Sequence, residues 1–207
     1  MTALIDDLDR VVTDACDALF LVTESDWHVP ARDLTWTCWG TLEHTADDLF
    51  AYAGQVAGRR TALDTYVPFA YEALADGEPP CTIHGEATRG NPGLVEVLDA
   101  SGGLLTAVVR QADPAKRGWH PYGVSDAGGF AAMGTVETLL HLYDVAEPLG
   151  LVWDPDPDVV RRALERLFPD APRDKEPWPT LLWATGRGDL PGHDRLHEWR
   201  WDSTVRG

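Results

Sequence analysis

Apolar residues recur at helical spacing from the start of the chain. Leu4, Ile5, Leu8, Val11, Val12, Ala15, Leu19 and Val22 predict a helix over residues 2–24. A loop with Pro30 follows, and Thr37, a short hydroxyl residue, is placed to N-cap a second helix. That helix is expected from Cys38 to Gly58, where glycine supplies the stop, with Leu42, Ala46, Leu49, Ala53 and Val56 as its strongest apolar positions. Residues 65–74 and 80–87 are rich in aromatic and β-branched side chains and predict a short hairpin or an irregular crossover. Asn91-Pro92 opens a third helix running to about Gln111, with proline suited to its first position. After a long loop, a fourth helix is expected over about 129–149, with Phe130, Met133, Val136 and Leu140 on its buried side. Four long helices with one long crossover predict a mainly α four-helix bundle. Beyond Gly150, DPDPDVVRRALERLFPD and PWPTLLWATGR each read as a short helix. This tail is too apolar for a free linker. The expected division is a bundle over 1–150 and an extension over 151–207 packed on it.

Length and charge narrow the function classes. A chain of 207 residues with 44% hydrophobic content supports one core and a small appendage. The formal charge of −17, from 17 basic and 34 acidic residues, repels phosphate backbones and anionic membrane surfaces. No stretch reads as the roughly 20 apolar residues that span a bilayer, and the acidic, amphipathic N-terminus is unlike a secretory signal. The expectation is a cytoplasmic protein with neither a nucleic-acid nor a membrane partner. Three cysteines (Cys16, Cys38 and Cys81) without a CxxC pair argue against a disulfide framework and a thiolate zinc site.

Chemistry concentrates on the fourth helix. Glu137 and His141, four apart in ETLLH, stack on one helix face at the edge of the apolar stripe. They can chelate one ion without bending the backbone, or form a hydrogen-bonded pair. His44 on the second helix is the candidate third ligand, although the strongest apolar positions of that helix point away from it. A stripe of Cys38, Thr41, Thr45, Asp48 and Tyr52 lies between, and reads either as the lining of a wet cavity or as surface. Two histidines and one glutamate match a zinc site with an open position, and suit Ni2+ or Fe2+ as well.

LTWTCWGTLEHTADDLFAYAGQVAG resembles the second helix of the DinB-like superfamily, and more closely that of the mycothiol-dependent maleylpyruvate isomerase N-terminal domain family. That family shows a Trp-Thr helix start followed by a ligand histidine, here Trp36, Thr37 and His44. GFAAMGTVETLLHLYDVAEPLG resembles its fourth helix, in which Glu137 and His141 complete a metal triad. The resemblance covers roughly residues 1–150. It implies an up-down-down-up bundle, a divalent metal that is commonly zinc, and thiol chemistry with mycothiol or a related small thiol. The tail is shorter than the C-terminal domain of the isomerase proper, and the stripe from Cys38 to Thr45 is more polar than is usual there.

The remaining candidates are secondary. Asp144, three residues after His141, is placed to hold the free imidazole nitrogen or to make a surface ion pair. His120 in RGWHPYG is a candidate acid or base at the cavity mouth. Arg89 and Arg117 are candidate partners for a substrate carboxylate, His84, His193 and His197 have no spacing that recommends them, and Trp183 and Arg187 are expected to pack over the bundle end. The leading expectation is a metal-dependent enzyme acting on a small thiol and a small electrophile, with Thr41, Thr45, Asp48 and Tyr52 around the bound molecule. A homodimer is left open. The rivals are a metal-containing binding or stress protein without turnover, and a metal-assisted hydrolase or cyclase of a specialised metabolite.

Overall fold

The structure is a computed structural model and describes residues 1–206. The chain is mainly helical. Helix α1 (Thr2–Phe20) buries Ile5, Leu8, Val11, Val12, Ala15 and Leu19 along one face, then breaks into turns a few residues before the expected end. Thr37 caps α2 (Cys38–Ala57) by accepting the Gly40 N–H at 3.0 Å. A 3-10 turn at Ala87–Arg89 leads into α3 (Gly90–Gln111). Asp126 caps α4 (Ala127–Ala146) through the Gly129 N–H at 2.7 Å. Helix α1 packs against α3 and α4, and α2 packs against the same two.

Helix α4 occupies the middle of the molecule. Only Glu137 and Tyr143 among its residues escape full burial, as expected of a helix apolar on nearly every side. Glu137 is therefore held where α4 meets α2, against a core that includes Phe130, Met133, Leu139 and Leu49.

Two expectations are corrected. Of the two forms expected within 65–87, the irregular crossover is the one found and the hairpin does not form; a single bridge joins Glu72 to Cys81. Pro68, Pro79 and Pro80 lack the N–H groups a ladder needs. The free N–H groups of Thr82 and Ile83 turn to the Asp47 carboxylate (2.8 and 3.0 Å), and that of Gly85 to Glu43 (2.9 Å). The hairpin that does form, β1 (Gly118–His120) with β2 (Gly123–Ser125), lies in the stretch read as loop. The second correction concerns membranes. Among the described residues, one helical segment, 87–111, is long and apolar enough by length and composition to cross a bilayer. Its Leu94, Val95, Leu98, Leu105 and Val109 are instead buried within the protein.

Beyond Gly150 the chain forms α5 (Pro157–Leu167) and α6 (Pro177–Ala184), as the sequence predicts. Helix α5 packs on α4, and α6 on α5. Val159, Val160, Leu164, Leu167, Leu181 and Trp201 join the core. The Trp153 indole donates to the Leu139 carbonyl at 3.2 Å, and Arg162 grips Asp7 with two bonds of 2.6 Å.

Candidate functional site

The packing of α2 on α4 brings His44 against the Glu137–His141 pair, with the two imidazole centres 5.2 Å apart. Each ring turns Nε2 to a carboxylate one turn away on its own helix. His44 Nε2 is 3.3 Å from Asp48, and His141 Nε2 is 3.3 Å from Glu137. Both contacts are longer than the ~2.7–2.9 Å of a charge-assisted N–H···O bond. Glu137 is further held by the Tyr52 hydroxyl, which donates to Oε1 at 3.1 Å. On the far side of His141, Nδ1 lies 3.1 Å from Asp144 Oδ2. Asp144 in turn accepts from Arg187 Nη2 at 2.8 Å and from Arg187 Nε at 3.0 Å. Trp36, from the loop before α2, covers both imidazoles, its ring 4.8 Å from His44 and 6.4 Å from His141.

Burial and these contacts set the charges. Burial, reinforced by the neighbouring His141, lowers the His44 pKa to about 4, so this ring is neutral at pH 7. Burial pulls His141 the same way, but its bonds to Asp144 and Glu137 win and push it up to about 9. Burial raises Asp48 well above the usual carboxylate range, and the Glu137 charge adds to that. Glu137 is lowered despite burial, because His141 and His44 favour its anion, and Asp144 is lowered by His141 and Arg187 against the same penalty. The cluster carries negative charge around one cationic ring.

Among the described residues, no group of three or more His, Cys, Asp and Glu side chains is set out as a preformed metal cage. The reason is visible in the contacts. Each Nε2 is turned to a carboxylate of its own helix, not to a point shared by α2 and α4.

The other predicted positions divide clearly. Asp48 and Tyr52 reach the site. Thr41 and Thr45 are buried, but their hydroxyls bond the carbonyls of Thr37 and Thr41 at 2.8 Å each, so neither is free to line a wet cavity. Cys38 is buried against the Pro30 carbonyl. Burial raises the thiols of Cys16, Cys38 and Cys81 to between about 11 and 12, so none is a nucleophile at neutral pH. His120 is buried, not solvated. It accepts the Tyr122 N–H at 3.1 Å, lies 6.0 Å from the Tyr52 ring and 5.0 Å from Trp201, and burial lowers it to about 4. Arg89 pairs with Glu96, and Arg117 bonds the carbonyls of Pro114 and Lys116. His84 pairs with Glu43, and His193 packs on Trp183. Two site residues were assigned no site role from the sequence: Trp36, read only as part of a helix-start pattern, and Arg187, read as packing. A buried carboxylate at Asp144 is the one signal that a cation had to arrive from elsewhere in the chain.

No curated protein and no solved structure matches the chain. The family model of the mycothiol maleylpyruvate isomerase N-terminal domain matches residues 3–146, well over half of the sequence and the whole of α1–α4 apart from the first helical residue. His44, Glu137 and His141 all fall inside that match, and on these grounds the chain belongs to the mycothiol maleylpyruvate isomerase N-terminal domain family.

Proposed function

We propose that the chain binds one divalent metal between α2 and α4 through His44, Glu137 and His141, and uses it to activate a small thiol of the mycothiol kind. The thiol adds to, isomerises or is transferred onto a small electrophile in the cytoplasm. In this reading α1–α4 form the up-down-down-up DinB-like bundle over 1–150, with 151–207 as an extension. The observation that carries the proposal is the meeting of His44 with the Glu137–His141 pair across two helices, in a chain of this family.

The donor set fits such an ion. Two imidazoles and one carboxylate suit zinc, with nickel or iron as alternatives. Two imidazoles sharing a tetrahedral zinc through nitrogens at ~2.0–2.1 Å have ring centres about 5 Å apart. The observed 5.2 Å meets that spacing. Binding requires each Nε2 to exchange its carboxylate neighbour for the ion, and His141 to release a proton.

When bound, the metal stabilises the thiol as thiolate at neutral pH. The protein side chains supply the rest. Asp48, 3.3 Å from His44 Nε2 and partly exposed, would pass the proton released from sulfur to solvent. Tyr52 keeps Glu137 oriented. In an isomerisation, the carbon–sulfur bond forms at a cis double bond, the adduct rotates about the resulting single bond, and loss of the thiolate restores the double bond as trans. The proton that entered at carbon is removed again, so the net change is geometric only.

A second reading rests on the 3.3 Å approach of Asp48 to His44 Nε2. If Asp48 joins the metal it closes the site, which favours a binding protein without turnover. Metal titration of the parent, His44→Ala, His141→Ala and Asp48→Asn separates the readings. The proposal expects about one ion per parent chain, loss of the ion in both histidine variants, and retention in Asp48→Asn. Full metal at unchanged affinity in both histidine variants overturns the ligand assignment, and loss in Asp48→Asn favours the closed site.

A further inference from the structure

The histidine that would carry the metal is held by a residue outside the matched family segment. Asp144 is among the most buried carboxylates of the protein, its side chain 3% exposed. A buried carboxylate is costly unless paired and hydrogen-bonded. Arg187 meets this cost with a forked contact of 2.8 and 3.0 Å, and the same carboxylate receives His141 Nδ1 at 3.1 Å. The direction of Arg187 is itself fixed. Helix α6 ends in a Schellman motif, with the Gly186 N–H on the Trp183 carbonyl (3.0 Å) and the Arg187 N–H on the Leu182 carbonyl (2.7 Å). Gly186 sits at φ +72°, where a side chain is strained, and a Cβ there would lie 3.1 Å from the Leu196 carbonyl oxygen. The sequence TGR thus stops α6 and delivers a guanidinium to α4.

We infer that Arg187 is a positioning residue for the site. Through Asp144 it locks the His141 ring with Nδ1 on the carboxylate and Nε2 on Glu137, so that the segment beyond Gly150 completes a metal centre otherwise built by α2 and α4. The inference rests on the metal reading for its consequence, while the hold on the ring can be read without metal. A planar fork is required to grip both Asp144 oxygens, and lysine supplies only a point charge.

The test compares the parent with Arg187→Gln and Arg187→Lys. In metal-free protein, long-range proton–nitrogen correlation spectra of the imidazoles report whether the His141 Nδ1–H is protected from exchange. It is expected to be protected in the parent, exposed in Arg187→Gln and intermediate in Arg187→Lys. Zinc affinity, by chelator competition, is expected to fall ~10–100-fold in Arg187→Gln, the cost usual for losing an outer partner of a metal histidine, and less in Arg187→Lys. Protection in Arg187→Gln equal to the parent overturns the inference. So does zinc affinity within about twofold of the parent with only the melting temperature lowered, which marks Arg187 as packing alone. A parent that takes up no zinc refutes the metal reading instead, and the exchange measurement still decides whether Arg187 holds the ring.

Discussion

Removing the Tyr52 hydroxyl isolates one contact of the site. Tyr52→Phe keeps the ring that packs on Phe130 (5.7 Å) and His120 (6.0 Å), and deletes only the donor 3.1 Å from Glu137 Oε1. Glu137 is then a buried carboxylate with one partner fewer. A hydrogen bond to a charged group is worth about 1.5–3 kcal/mol, and the orphaned acceptor bears most of the loss. For a chain of this size each kcal/mol moves the melting temperature by about 2–4 °C, so the metal-free variant is expected to melt roughly 3–12 °C below the parent. A double-mutant cycle with Glu137→Gln sharpens the test. Against a neutral amide the hydroxyl contributes about 0.5–1.5 kcal/mol, so Tyr52→Phe costs less in that background and the two changes couple by about 1 kcal/mol. Zinc affinity is expected to drop ~10–100-fold in Tyr52→Phe, because an outer partner of a ligating carboxylate is lost. A variant that melts with the parent and binds zinc equally well refutes the reasoning.

Other outcomes follow from the same contacts. In metal-free protein, His141 has a folded pKa raised to about 9 from 6.5. Its contribution is therefore fully present below pH 6.5, and is lost as pH rises through 9. Melting curves across that window are expected to decline with pH in the parent and to flatten in His141→Gln; an unchanged slope contradicts the assigned shift. Gly102→Ala places a Cβ 2.5 Å from Val12 Cγ1 and 3.1 Å from Val12 Cβ, too near the α1 backbone for a rotamer change to relieve. Overpacking of about 1–3 kcal/mol is set against the ~1 kcal/mol that alanine adds to helix propensity, and urea unfolding is expected to give a net loss of up to about 2 kcal/mol. Cys16, Cys38 and Cys81 are buried, with thiols pushed up to between about 11 and 12, so iodoacetamide at pH 8 is expected to label them only after unfolding.

The sequence carried the helices well wherever periodicity and caps agreed. Thr37 and the apolar spacing of α2 located that helix nearly to the residue, and the two stretches read as short helices after Gly150 form α5 and α6. The spacing of Glu137 and His141 correctly placed them one above the other beside a buried stripe. His44 was harder, because its neighbours in the main apolar stripe face elsewhere. Trp36, a residue outside the helix that no period can reveal, packs against its ring. Within the polar stripe, Asp48 and Tyr52 reach the site, whereas the buried hydroxyls of Thr41 and Thr45 satisfy themselves on the preceding helical turn. The β1–β2 hairpin has strands of three residues, too short for an alternating pattern, while the aromatic stretch that looked like strands is interrupted by prolines. Arg187 could not be found from spacing at all, since its partner Asp144 lies 43 positions away and the contact depends on how α6 ends.

The central claim, a metal that takes a thiol, is tested most directly by cobalt in place of zinc. Cobalt-loaded parent protein, titrated with mycothiol or a simpler thiol, is expected to gain a sulfur-to-metal charge-transfer band in the near ultraviolet. The band saturates at about one thiol per chain, since three protein ligands leave one position open. It should be absent in His44→Ala and His141→Ala, which lack the ion. A parent that binds cobalt at His44, Glu137 and His141, yet whose spectrum no thiol perturbs, contradicts thiol activation and leaves a closed metal-binding protein.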